Sequence, residues 1–131
     1  MLQSIQNRAA KLVVGGFKYD HVSPILMELH WLPVNKRIVF KIGVLMFKCL
    51  NGLAPDYLSD NFLQSSSVMA PYEMRSGALN CLKVPAYKLK LGSRSFHISG
   101  PTIWNSFPCS LRQPGLTLSL FKAKLKTHLF N

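Results

Sequence analysis

The sequence predicts a mainly α fold: a small helical domain with a short extended or β-hairpin-like segment near residues 78–91. Three observations carry that expectation. Apolar residues recur three or four positions apart in several separate stretches, the period of a helix with one covered face. A glycine pair, an Asn-Gly and several prolines stand at the ends of those stretches, where helices stop or start. Alternation of apolar and polar residues, the mark of a strand, is confined to the region around 82–91.

In the first stretch Leu2, Ile5, Ala9, Leu12 and Val13 share a helix face, with Gln3, Asn7 and Lys11 opposite, and Gly15-Gly16 supplies the stop. Ser23 then reads as an N-cap with Pro24 at the first helical position. It opens a short helix that ends before Pro33 and buries Ile25, Leu26, Leu29 and Leu32. The next helix, Val34 to Leu50, terminates at Asn51-Gly52 and is expected at the centre of the fold. Three of its polar residues, Arg37, Lys41 and Lys48, are confined, at about 100° per residue, to a stripe roughly 40° wide. Almost everything else on it must be covered, which makes Ile38, Phe40, Ile42, Leu45, Met46 and Phe47 core residues. Gly43 is either a point of close approach or a weak spot in the helix.

A short helix is expected from near Pro55. Residues 64–76, rich in serine, interrupted by Pro71 and without periodicity, read as a loop inside a single 1–131 module. Leu82, Val84, Tyr87, Leu89 and Leu91 interleave with Lys83, Lys88 and Lys90, which predicts an extended region with one basic face, held to an edge or bend by Pro85. Ser93 is read as the cap of a helix through Ile98, Gly100-Pro101 as its interruption, and Thr102 to Phe107 as a turn before Pro108. The last helix follows Thr117. Leu118, Phe121, Leu125 and Leu129 form its apolar stripe, flanked or opposed by Lys122, Lys124 and Lys126.

A chain of 131 residues fits one domain and buries roughly two-thirds of the surface that its unfolded form exposes. With 48% hydrophobic and only 16% charged residues, the composition is that of a folding chain, not a solvated disordered one. Sixteen Lys and Arg against five Asp and Glu leave a net charge of +11, which favours polyanionic partners. Cys49, Cys81 and Cys109 are odd in number, widely spaced and never CxxC. That argues against a disulfide framework or a structural zinc and fits a reducing compartment. The N-terminus lacks the charged-then-apolar pattern of a secretory signal. The most apolar run, Ile38 to Leu50, is too short for a bilayer and broken by Lys41 and Lys48. An intracellular location, nucleus or cytoplasm, and no membrane partner are expected.

Catalytic chemistry finds little footing. The carboxylates Asp20, Glu28, Asp56, Asp60 and Glu73 include no adjacent pair for two-metal catalysis. Asp56 and Asp60, four apart, read more plainly as a favourable first-turn acid and a surface acid than as a general acid pair. His21, His30, His97 and His128 stand singly, outside any metal-binding spacing, and Gly15-Gly16 is not followed by a phosphate-loop pattern. No catalytic residue, cofactor or metal is expected. The cysteines are expected as buried or half-buried thiols. Three basic sets remain as candidates for phosphate contact: Arg37, Lys41 and Lys48; Lys83, Lys88 and Lys90; and Lys122, Lys124 and Lys126. Trp31, Trp104, Phe40, Phe47, Phe96 and Phe121 read as core anchors instead of stacking platforms.

Four separated blocks, in order, carry a family likeness. They are LQSIQNRAAKLV from Leu2, LHWLPVNKRIVFKIGVLMFKCLNGLAPDYL from Leu29 to Leu58, FHISGPTIWNSFP from Phe96 to Pro108, and FKAKLKTHLF from Phe121 to Phe130. Together they resemble the region after the catalytic palm in reverse transcriptases of LINE-type (non-LTR) retrotransposons, over nearly the whole chain. The resemblance implies a thumb-and-tail module that contacts RNA or DNA through backbone phosphates. The palm with its adjacent aspartates is missing from this chain, so the likeness implies a non-catalytic remnant of an RNA-directed DNA polymerase. It also implies exposure of surfaces that the palm would cover, and hence self-association. The alternative is an inert or protein-interaction fragment without a nucleic-acid role.

Overall fold

The computed structural model describes residues 1–66 and 81–130, the side chains of residue 61 and residues 63–66 excepted. Six α-helices follow one another among the described residues: α1 (Leu2–Val14), α2 (Val22–Glu28), α3 (Val34–Leu50), α4 (Asp56–Ser66), α5 (Phe96–Ser106) and α6 (Leu118–Phe130). Single 3-10 turns occupy Gly92–Arg94 and Cys109–Leu111. The fold is mainly α, as the apolar periodicity requires.

Helix α3 is central, packing on α5 and α6 and also on α4 and α1. Its Met46 and Phe47 join Trp104 and Phe107, Phe121 and Leu125 of α6, Phe62 of α4, and Leu82 in one buried cluster. Phe47 and Phe121 stack with ring centroids 4.4 Å apart, and Trp104 lies 6.0 Å from Phe121. Gly43 proves to be a point of close approach: a Cβ there would stand 2.8 Å from the Phe107 ring and 3.1 Å from Leu125. Ile38, expected in the core, is exposed. The buried residues of α3, Gly43, Met46, Phe47 and Cys49, all lie in its C-terminal half, where the covering helices pack, whereas Ile38 stands in its second turn.

A second, smaller cluster holds Ala10 of α1 and Ile25 and Leu26 of α2, with Trp31 packed against it. Helix α1 forms where expected but buries a different face. Leu2, Ile5, Leu12 and Val13 are all exposed, Leu12 by 83%. The docking side instead carries glutamines. Gln3 Oε1 accepts from the Val34 N–H at 2.8 Å, and Gln6 Nε2 donates to the Leu32 carbonyl at 2.8 Å. Two amides thus satisfy backbone groups at the start of α3, where the first N–H groups have no helical partner.

Three helices end alike. The Gly16, Trp31 and Leu53 N–H groups reach back to the carbonyls of Lys11, Leu26 and Lys48, with Gly15, His30 and Gly52 at φ 73, 54 and 66° between. The left-handed residue lets the chain fold back onto the last open carbonyls. Glycine announces two of these ends in the sequence; His30 does not.

Several local expectations are corrected. Helix α2 starts at Val22 with His21 as N-cap, not at Pro24, because any of the first helical positions tolerates a missing N–H. Ser95, not Ser93, caps α5, since residues 92–94 are already turned into a 3-10 coil. Gly100-Pro101 does not interrupt α5: both residues are buried inside it, and a Cβ on Gly100 would meet Met46 Sδ at 2.5 Å. Packing against α3 outweighs the propensity penalty of the proline. Residues 64–66 of the expected loop are helical; the rest of that loop, residues 67–76, lies outside the described residues.

The hairpin-like segment is absent among residues 81–91, where no strand forms; residues 78–80 lie outside the described residues. One side chain takes the place of a neighbouring strand: Asn105 Oδ1 accepts from the Leu82 N–H at 2.8 Å and Asn105 Nδ2 donates to the Leu82 carbonyl at 2.7 Å. Beyond Pro85 the chain turns, with the Gly92 N–H on the Leu89 carbonyl at 2.9 Å. Asn105→Ala is expected to lower stability by about 1–3 kcal/mol, because it strips both partners from a largely buried peptide group. Urea denaturation checks the magnitude, and accelerated amide exchange at Leu82 identifies the cause.

Candidate nucleic-acid interface

The central stripe stands as the spacing requires. Arg37 and Lys41 are exposed on α3 and Lys48 is half-buried. On α6, Lys122 and Lys124 are exposed and Lys126 is half-buried. Lys122 and Lys126 are one turn apart on one side, with Lys126 Nζ 5.9 Å from the centroid of the Phe130 ring. Lys124 points elsewhere, into a shallow groove with Pro108, Ser110 and His128. Lys83, Lys88 and Lys90 are exposed, but the turn at Leu89 breaks the alternation that would have lined them along one face. Only the α3 and α6 sets sit on helices that pack directly on each other.

A further basic region lies at α1 and α2. Arg8, Lys11 and Lys18 line an open groove of about 630 Å³, together with Ser4, Asn7, Leu12, Gly16 and Val22. Lys11 Nζ donates to the Lys18 carbonyl at 2.6 Å and ties the helix to the loop that follows it. The readable signal was the three-residue spacing of Arg8 and Lys11, which puts both on one side of the helix.

One cation is buried instead of exposed. Arg112, 7% exposed, donates from Nε to the Phe107 carbonyl at 3.0 Å and from Nη1 to Cys81 Sγ at 2.8 Å; Nη2 lies 3.7 Å from Cys109 Sγ. It links the segment at Cys81 to the turn between α5 and α6. Neither Cys81 nor Cys109 is buried as expected, whereas Cys49 is, and burial pushes its thiol above the ordinary value of 9.0. At neutral pH Cys49 is therefore a packed thiol and a poor nucleophile. Trp104 is a core residue and Trp31 packs half-buried on the smaller cluster.

Among the described residues no three His, Cys, Asp or Glu side chains converge on a point that suits a metal ion. No helix among them is long and apolar enough to cross a membrane. Comparison with models of protein families, with curated proteins and with solved structures gave no match.

Proposed function

We propose that the chain is a non-catalytic nucleic-acid-contacting module, of the thumb-and-tail kind that its sequence blocks resemble, which grips the phosphate backbone of RNA or DNA. The observation that supports this is the stripe of Arg37, Lys41 and Lys48 along the central helix, in a protein of net charge +11. A guanidinium offers two parallel donors to one phosphate, and each lysine adds a mobile point charge. A stripe on a well-packed helix holds these groups at a fixed spacing, which lowers the ordering cost of binding.

The test is a fluorescence-anisotropy titration against single-stranded RNA across salt concentrations. Every phosphate neutralised on a single strand contributes about 0.7 to the slope of log K against log salt. The parent is expected to bind with a steep slope, and Arg37→Ala/Lys41→Ala/Lys48→Ala to flatten it by about 2. A folded parent that does not bind, or a triple variant with an unchanged slope, overturns this reading.

The exposed apolar side of α1 favours a second reading, association with a second copy or another protein. Leu2, Ile5, Leu12 and Val13 all stand exposed on one side of α1, and exposed apolar groupings mark interaction sites when they are large. Sedimentation equilibrium without nucleic acid separates the two: a monomer at all concentrations removes self-association.

A further inference from the structure

The loop joining α1 to α2 holds features that none of the three basic sets explains. Phe17 and Tyr19, 80% and 89% exposed, are the two most exposed aromatics among the described residues. They flank Lys18, a lining residue of the basic groove, and Lys18 Nζ lies 5.8 Å from the centroid of the Tyr19 ring. The turn carrying them is braced twice: the Phe17 N–H donates to Asp20 Oδ2 at 2.6 Å, and the Asp20 N–H donates to the Phe17 carbonyl at 3.2 Å. The carboxylate nearest the groove is therefore committed to the backbone. A third brace is the bond from Lys11 Nζ to the Lys18 carbonyl.

Each part has a use in binding an unpaired strand. Arg8, Lys11 and Lys18 supply cations for successive phosphates, and Lys11 keeps donors to spare after its bond to the loop. Leu12 and Val22 give the groove apolar walls against which a base or sugar can lie. Exposed rings on a basic rim stack on the faces of bases, which a duplex hides inside its own stack. A braced turn presents those rings with little ordering left to lose.

We infer that the groove between α1 and the 16–22 loop is a binding site for single-stranded nucleic acid, with Arg8, Lys11 and Lys18 on phosphates and Phe17 and Tyr19 stacking on bases. The site rests on the nucleic-acid reading above but not on the α3 stripe. It selects unpaired over paired strands, which a phosphate-gripping stripe alone does not do.

The experiment titrates labelled single-stranded RNA, single-stranded DNA of the same sequence, and RNA duplex with three proteins: the parent, Phe17→Ala/Tyr19→Ala and Arg37→Ala/Lys41→Ala/Lys48→Ala. Both substituted loop rings are largely exposed, and the braces of the turn are made without them, so the loop variant is expected to fold; circular dichroism verifies it. Loss of one stacked base weakens binding by about 5- to 150-fold. The loop variant is thus expected to bind single strands at least about 10-fold more weakly, with an unchanged salt slope and little change on duplex. Tighter binding of RNA or of DNA names the strand that the site reads. Equal affinity of parent and loop variant overturns the site, as does an equal loss on duplex and single strands. A weakened loop variant beside an unchanged α3 variant sinks the stripe and leaves the groove; the reverse pattern sinks the groove alone.

Discussion

Phe121→Ala is expected to lower the free energy of unfolding by about 3–5 kcal/mol, a large part of the roughly 5–15 kcal/mol that holds a typical domain folded. Phe121 is fully buried on α6, stacked on Phe47 of α3 and 6.0 Å from Trp104 of α5. Truncation removes the transfer energy of the ring and leaves a cavity. Its walls belong to three different helices and cannot all close in at once. Lost ring-to-ring geometry adds about 0.5–1.5 kcal/mol of what the stack supplies beyond its area. Leu120→Ala, one residue earlier and 46% exposed, is the control and should shift stability far less. Urea denaturation followed by circular dichroism measures both. Equal losses for the two variants would deny that α6 docks through the Phe121 face.

Gly43→Val should cost about 3 kcal/mol or more, the balance of two opposed terms. Replacing a helix-interior glycine with alanine ordinarily gains about 1 kcal/mol. Here the added Cβ alone would stand 2.8 Å from two carbons of the Phe107 ring, which is rigid and itself packed near Trp104. Overpacking of that kind costs about 1–3 kcal/mol, so Gly43→Ala should be mildly destabilising. Valine adds two further carbons and loses the alanine advantage. The ordering glycine above alanine above valine in thermal unfolding is the expected outcome. A variant with alanine more stable than the parent would place α5 and α6 farther from α3.

The basic stripe of α3 was legible in the sequence because offsets of four and eleven determine a direction from helix geometry alone, whatever the helix packs against. The same holds for Phe121 and Leu125, whose stripe is unambiguous on a helix with lysines on its other sides. The groove was not legible, since it is assembled from one side of α1 and a loop, and nothing in the local pattern says that Lys11 reaches the carbonyl of Lys18. Arg112 was equally hidden: its contact with Cys81 spans 31 positions.

The sequence by itself determined that this chain is helical, where its helices stop at Gly15 and Gly52, and which sides of α3 and α6 carry cations. Each of these is decided by neighbours within four or five residues, through helix period and the left-handed conformation that glycine accepts without penalty. Tertiary structure alone decided that α1 docks by Gln3 and Gln6 and leaves its leucines outside, that Pro101 stays inside a continuous α5, and that Asn105 stands in for a strand beside Leu82. In each case a backbone group or packing surface brought in from elsewhere in the fold outweighs a local preference worth only a few kcal/mol.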